Sequence, residues 1–362
     1  MLYLSKEDAE LIGLEAVISQ CRCRSPQGNR LKAFRHFFKP AEKAELEAEY
    51  SSIDALTQLL KAKDPQTISA SRLLAQLREL RATFSGLESE RLLDETELFE
   101  LKKAISVFNQ LASLKDLLEQ AQVVIHALPD AARLLDPAGL GSPGFYIYTE
   151  YSERLRVLRK NKRKLEAAIS KAEGAKRKEL LDQRNFLSAE ENQEEERVRR
   201  ELGIRLLPLA ETLKANAEAC GLLDFRLARA ELALHWGAAK PVVTEQSEPA
   251  KLTGAWHPVV AARLQKTGGV FTRQSLELRQ GATVITGANM GGKSVAMQTS
   301  MLCLTLAQLG YFPPCEALET PLYEFISYAA DISAAQALGL SSFGNEAVRL
   351  RDDYKRAKKK RG

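Results

Sequence analysis

No stretch of this 362-residue chain is apolar for long enough to cross a bilayer. The longest, Met301 to Phe312, falls short of the roughly 20 residues a membrane helix needs and contains Thr305 and Gln308. No membrane partner is expected. Cysteine is scarce and odd in number: Cys21, Cys23, Cys220, Cys303 and Cys315 lie scattered, which argues against a disulfide framework. Cys21-x-Cys23 is too closely spaced for a common metal motif and has only His36 near it, so two thiols in a reducing compartment are expected. The first residues lack a basic segment followed by an apolar one, so no secretory signal is expected and the chain is placed in the cytoplasm. Charge of neither sign dominates. The 52 Lys and Arg against 47 Asp and Glu leave a formal charge of +5, too weak a bias to argue for nucleic acid by itself. What is present, 45% hydrophobic and 27% charged residues, is ordinary for a globular protein. The length allows about two or three domains.

One stretch organises the rest, Ala282 to Leu309. It opens with the β-branched run ATVIT (Ala282 to Thr286), expected to be a buried strand, and closes with a helical run that has few breakers. Between them Gly287-x-x-x-x-Gly292-Lys293-Ser294 matches the P-loop pattern in full. Glycines let backbone N–H groups close around a β-phosphate, and the helix N-terminus adds partial positive charge. Lys293 is suited to the β- and γ-phosphates, and the Ser294 hydroxyl to Mg2+. ATP and Mg2+ are therefore the expected ligands.

From Met1 to about Gln122 apolar residues recur at helical spacing, as in Ile53, Leu56, Leu59 and Leu60. Ser25-Pro26-Gln27-Gly28 reads as a turn interrupting this half, and Asp94 as the cap of a helix whose acids come first and bases last. Prolines and glycines between Leu128 and Phe145 predict a long loop, which leads to Tyr146-x-Tyr148-x-x-Tyr151. Between Glu153 and Glu201 stand fifteen Lys or Arg and eleven Asp or Glu, with Leu155, Leu158, Leu165 and Ile169 on helical spacing. That pattern predicts a helical hairpin with its tip near Gly174 or near Ser188-Ala189-Glu190. The returning helix is expected through Leu222 to Leu234, ended by Gly237 and Pro241. Trp256-His257-Pro258 opens an irregular stretch to Gly269, and Phe271 to Leu278 alternates as a strand does. Gly310 is expected to stop the P-loop helix, and Tyr323 to Tyr328 to form a strand. The predicted organisation is a helical domain at 1–243 with its hairpin at about 151–220, a linker at 244–253, part of an α/β P-loop domain at 254–347, and a basic tail at 348–362.

At Thr286 to Ser294 (TGANMGGKS) the chain resembles the MutS family, whose loop reads TGPNMGGKS and differs only at Ala288. The flanks resemble it too: Trp256-His257-Pro258-Val259 before the loop, Phe271-x-x-Gln274, Phe312-x-Pro314-x-x-Ala317 with Asp331 after the helix, and Gly339-x-Ser341-Ser342-Phe343, which is similar to the signature loop GRSTF. In the helical half Ser25 to Leu31 and Leu93-Asp94-x-x-Glu97-Leu98-Phe99 are similar to segments of MutS-like relatives. The resemblance implies a helical core and lever region with a hairpin, followed by a partial ABC-like P-loop NTPase domain. It implies a phosphate cradle of Gly287, Asn289, Met290, Gly291, Gly292, Lys293 and Ser294, with Ser294 on Mg2+. It implies adenine packing by Phe271 and Gln274, the latter standing where the family more often has Asn. It further implies that Gly339, Ser341, Ser342 and Phe343 meet a partner subunit's nucleotide, hence a homodimer or a pairing with a MutS-like subunit. By its residues alone His257 reads as a structural hydrogen-bonding group.

Two departures from the family pattern stand out. No Phe-x-Glu wedge of a mismatch-reading domain occurs, so mispair recognition by these residues is not expected. No apolar strand ending in Asp-Glu follows the signature loop, and Asp352-Asp353 have no hydrophobic run before them. No catalytic residue is assigned, and nucleotide binding is expected to exceed hydrolysis. Three functional readings follow. The first is a DNA-binding, mismatch-repair-type ATPase subunit or fragment whose nucleotide state sets its grip on DNA. The second is an ATP-dependent remodelling partner of a cobalamin-dependent aminomutase. The third is the inactive half of a split MutS-like gene.

Overall fold

The computed structural model describes residues 4–141, 146–288, 291–328 and the single positions 351, 354, 355 and 358. Among these the chain is mostly helical with one small mixed sheet. In order the helices are α1 (Lys6–Leu11), α2 (Leu14–Ile18), α3 (Pro26–Phe34), α4 (Lys43–Lys61), α5 (Pro65–Leu74), α6 (Arg81–Glu88) and α7 (Glu95–Ala112). There follow α8 (Lys115–Gln120), α9 (Pro129–Leu135), α10 (Glu153–Ile169), α11 (Gly174–Leu206) and α12 (Ala210–Trp236). The strands β1 (Val242–Val243) and β2 (Ala250–Ala255) precede α13 (Pro258–Lys266), and β3 (Gln274–Leu278), α14 (Lys293–Gln308) and β4 (Ala317–Thr320) complete the order. No helix among the described residues is long and apolar enough to cross a membrane.

Two compact units are assembled from discontinuous segments. One draws on Met1–Arg22, Ala33–Lys63 and Arg226–Gly362, the other on Cys23–Lys32 and Asp64–Phe225. The first holds the sheet, in the order β1-β4-β2-β3, with β1 parallel to β4 and β2 antiparallel to both its neighbours. Residues 250–253, expected in a linker, open β2 and pair with β3 and β4. The register of β2 shifts between Leu252 and Ala255, where Gly254 takes φ +60 and a side chain would strike Glu316. In the same unit α4 buries Leu46, Tyr50, Ile53 and Leu56 at helical spacing, and Phe312 meets the Tyr50 ring edge-on at 5.8 Å.

In the second unit α7 starts as the sequence predicts: Asp94 accepts from the Glu97 amide at 2.8 Å, and Glu97 accepts from the Asp94 amide at 3.1 Å. This is a reciprocal capping box. Helix α7 then buries Leu98, Leu101, Ile105, Phe108 and Leu111. The hairpin is α10 and α11, turning at 170–173 beside Gly174 at φ +56, the first of the two expected tips. Its helices are laced by Arg159 to Glu191 at 2.9 Å, Arg159 to Glu195 at 2.7 Å and Lys162 to Glu191 at 2.6 Å.

Several expected local structures differ. Ser25-Pro26-Gln27-Gly28 starts helix α3 rather than turning the chain. The Gly28 amide donates to Ser25 Oγ at 3.0 Å, and Pro26 sits at the first helical position, where its fixed φ suits a helix. The loop expected at 128–145 contains α9, again opened by a proline, and Pro258 opens α13 where irregular chain was expected. The run Ala282 to Thr286 forms no strand, because no neighbouring strand among the described residues pairs with it; Val284 is 79% exposed. Nor is 323–328 a strand. The Gln308 amide accepts from Tyr323 N at 2.9 Å and donates to Tyr323 O at 2.8 Å, and so replaces a ladder partner there. Asp331, the signature-loop residues Gly339, Ser341, Ser342 and Phe343, and most of the basic tail lie outside the described residues.

Candidate nucleotide-binding site

Strand β3 leads through 279–288 to the start of α14, and the turn of the P-loop is set by glycines. The Gly291 amide donates to the Ala288 carbonyl at 3.0 Å, and a Cβ on Gly291 would lie 2.9 Å from that same oxygen. Gly292 takes φ +82 as the residue before α14, a left-handed conformation that disfavours any side chain. Its carbonyl accepts from Ala296 N at 2.8 Å, the first bond of the helix. Among the described residues nothing stands within 4 Å of where a Cβ on Gly292 would be, so its left-handed backbone rather than crowding disfavours a side chain there.

Lys293 folds back over this turn, its Nζ donating to Gly287 O at 2.7 Å and Ala288 O at 2.8 Å. The ammonium thus lies on the inner side of the loop, held by carbonyls that a stronger acceptor can replace. Ser294, one residue on, is exposed at the first turn of α14. The far half of the helix is the opposite: from Thr299 to Gln308 nine of ten residues are buried. One helix therefore presents a free N-terminus and an anchored C-terminus. Of the loop residues expected in the cradle, Gly287, Gly291, Gly292, Lys293 and Ser294 come together; Asn289 and Met290 lie outside the described residues.

Phe271 is half-buried ahead of β3, and Gln274 is the first residue of that strand. The Gln274 Nε2 is buried with no hydrogen-bond partner. An unsatisfied amide costs free energy that a ligand acceptor would recover. The displaceable Lys293 ammonium at this glycine-built turn fits an anionic phosphate group. His257 is buried, with Nε2 3.1 Å from the Ile12 carbonyl. Burial lowers its pKa, so the neutral ring donates to Ile12 and ties α13 to the end of α1. It has the structural role the sequence assigns it.

The sequence reading did not single out the polar cluster that anchors α14. Tyr50 Oη donates to Ala307 O at 2.7 Å, Arg229 donates to Gly310 O at 2.9 Å, and Gln308 donates to Phe38 O at 2.8 Å. Glu49 binds both Arg226 and Arg229 beneath this end. The signal available was a carboxylate on the apolar stripe of α4, with two arginines three residues apart on α12.

Residues 283–360 match the family model of MutS domain V. The endonuclease MutS2 of Latilactobacillus sakei is 34% identical over 167 residues, 46% of this chain and 20% of that protein. The DNA mismatch repair protein MutS of Rhodopseudomonas palustris is 28% identical over 319 residues, 81% of this chain and 35% of that protein. These matches support membership of the MutS family. The DNA mismatch repair protein MutS of Thermus aquaticus is 33% identical over 149 residues, 41% of this chain and 17% of that protein. The matches thus span between about a sixth and a third of the length of these relatives. The long match to the Rhodopseudomonas protein extends the likeness well beyond the P-loop segment.

Proposed function

We propose that this MutS-family chain binds ATP with Mg2+ at Gly287–Ser294 and uses its nucleotide state to set a grip on DNA. The observation that carries the reading is the loop itself: Gly292 left-handed before α14, and Lys293 resting on two loop carbonyls. In this reading the Lys293 ammonium exchanges those carbonyls for phosphate oxygens, which as charged acceptors bind it more strongly. Ser294 holds the cation, Phe271 packs against the base, and Gln274 Nε2 finds its acceptor there. Gly287, Asn289, Met290, Gly291 and Gly292 form the remaining cradle. Gly339, Ser341, Ser342 and Phe343 act across a dimer with a second copy or a MutS-like subunit, a role supported by their resemblance to the signature loop. The helical residues act as core and lever.

Support for DNA comes from the hairpin. Lys160, Arg163, Lys164, Lys171, Arg177 and Lys178 are exposed along it and carry no ion pair among the described residues, whereas Arg159 and Lys162 are paired. Free cations on a narrow element suit a phosphate backbone. A gel-shift series with duplex DNA at 50 to 200 mM salt, with and without ATP, tests this reading. Binding that weakens with salt and changes with ATP supports it, and no binding at the lowest salt overturns it.

A second reading, a protein client such as a metabolic enzyme under remodelling, has one observation in its favour. Phe186 is 65% exposed on α11, beside an apolar hollow lined by Leu165, Ala168 and Leu187. DNA phosphates do not need such a surface. Co-purification of an enzyme lost on Phe186→Ala, together with absence of DNA binding, would favour it.

A further inference from the structure

A second cavity, of about 250 Å³, lies within the unit formed by Cys23–Lys32 and Asp64–Phe225. Three helices each turn one face to it: Gln27 and Arg30 from α3, Phe84 and Ser85 from α6, Lys214 and Ala217 from α12. Gln27 and Arg30, and Lys214 and Ala217, are three residues apart, and Arg81 stands three and four residues before Phe84 and Ser85, which places each set on one side of its helix. Gln27 is 2% exposed, and its Nε2 donates to Arg78 O at 2.8 Å. That bond fixes the amide and leaves Oε1 as a buried acceptor without a partner. Arg30 Nη1 is likewise buried without a hydrogen bond, and Glu79 Oε1 lies 3.7 Å from it, beyond hydrogen-bond distance. One cavity therefore contains an acceptor and a donor without hydrogen bonds a single helical turn apart, the donor's guanidinium being ion-paired with Glu79.

Buried polar groups are nearly always satisfied, so the pair calls for an occupant. A lone water takes about 30 Å³ of liquid, far less than this space. The other charges do not ask for an anion. Arg81 is bound to Glu79 at 3.1 Å and Lys214 to Glu88, so a phosphate would have to break existing pairs. The wall beneath is apolar, formed by Leu80, Phe84 and Ala217, all at most 5% exposed. A neutral planar ring with an N–H and an acceptor on one edge matches this set, and aromatic faces pack well on such a wall.

We infer that this cavity is a nucleobase-binding site, separate from the P-loop, in which Gln27 Oε1 accepts from a ring N–H and Arg30 donates to a ring carbonyl. The inference does not rest on the P-loop reading. Calorimetric titration of the full chain with guanosine and with uridine tests it, with ribose as control; these probes lack the phosphates a P-loop holds. Saturable binding of a nucleoside, but not of ribose, is the expected result. Ser85→Trp, made at an exposed position of α6, closes the mouth and should weaken binding at least about tenfold. Gln27→Leu should do the same, while Lys293→Ala should leave the affinity unchanged. Absence of nucleoside binding overturns the inference, as does wild-type affinity in Ser85→Trp. Loss of binding in Lys293→Ala with retention in Ser85→Trp assigns the nucleoside to the P-loop and overturns it as well.

Discussion

Arg229 donates to the Gly310 carbonyl at 2.9 Å while its other nitrogen binds the buried Glu49 carboxylate. One guanidinium thus closes the C-terminal end of the P-loop helix and ties it to both α4 and α12. Its geometry leaves no spare volume, since a Cβ on Gly310 would lie 2.6 Å from Arg229 Nη1. A helix with a free N-terminus must be held at its other end if the loop before it is to keep one shape. In this unit the hold is polar and charged.

Glu49 is the weak point of that hold. Burial raises its pKa, but Arg229 and Arg226 outweigh burial and leave the carboxyl below its ordinary value of 4.5. A depressed folded pKa means that the carboxylate's contribution is complete above about 4.5 and is lost as pH falls through the folded value. Glu49→Gln leaves two guanidiniums buried with one anion removed. It should cost about 3–5 kcal/mol at pH 7 by urea unfolding. The gap between variant and wild type should narrow below pH 4.5. A gap that stays constant down to pH 3 would show that the charge pairing contributes nothing.

Gly28 should tolerate no side chain. It stands on α3 against Asp224, which accepts from Arg24 N at 2.9 Å, Ser25 N at 2.6 Å and Ser25 Oγ at 2.6 Å. A Cβ on Gly28 would strike the Asp224 carboxylate itself. Gly28→Ala is expected to cost about 1–3 kcal/mol, as overpacking does, and to lower the thermal midpoint measurably. An unchanged midpoint would mean that the Asp224 cap can move aside without loss.

These two sites mark what the sequence discloses and what it hides. Features carried by residues a few positions apart were legible: the Asp94–Glu97 cap, the charge-laced hairpin and its turn at Gly174, the P-loop turn, and the Gly310 stop. Where proline stood near a glycine or histidine the sequence reading went wrong, because Pro26, Pro129 and Pro258 open helices at their first positions instead of breaking them. Long-range pairing was not legible. Nothing local in Ala282 to Thr286 says that it lacks a neighbouring strand among the described residues. Nothing in Gln308 says that its amide stands in for one at Tyr323. The Glu49 cluster joins residues about 180 positions apart in the chain, so only its unusual place on an apolar stripe hinted at it.

The hairpin makes a quantitative claim. If Lys160, Arg163 and Lys164 each neutralise a phosphate, replacing all three by Ala should reduce the slope of log affinity against log salt by about 3. Affinity should fall uniformly across DNA sequences, because backbone contacts do not read bases. A weaker binder with an unaltered slope would place the contacts elsewhere on the chain.

The central claim is that Gly287–Ser294 is a nucleotide cradle whose cation is the Lys293 ammonium, and ATP affinity tests it most directly. Titration of wild type and Lys293→Ala with Mg2+ and a fluorescent ATP analogue should show saturable binding for the first. The second should lose a charge-assisted contact of about 1.5–3 kcal/mol, roughly a tenfold to hundredfold loss of affinity. Equal affinity in the two proteins, with the variant still folded, would contradict the account.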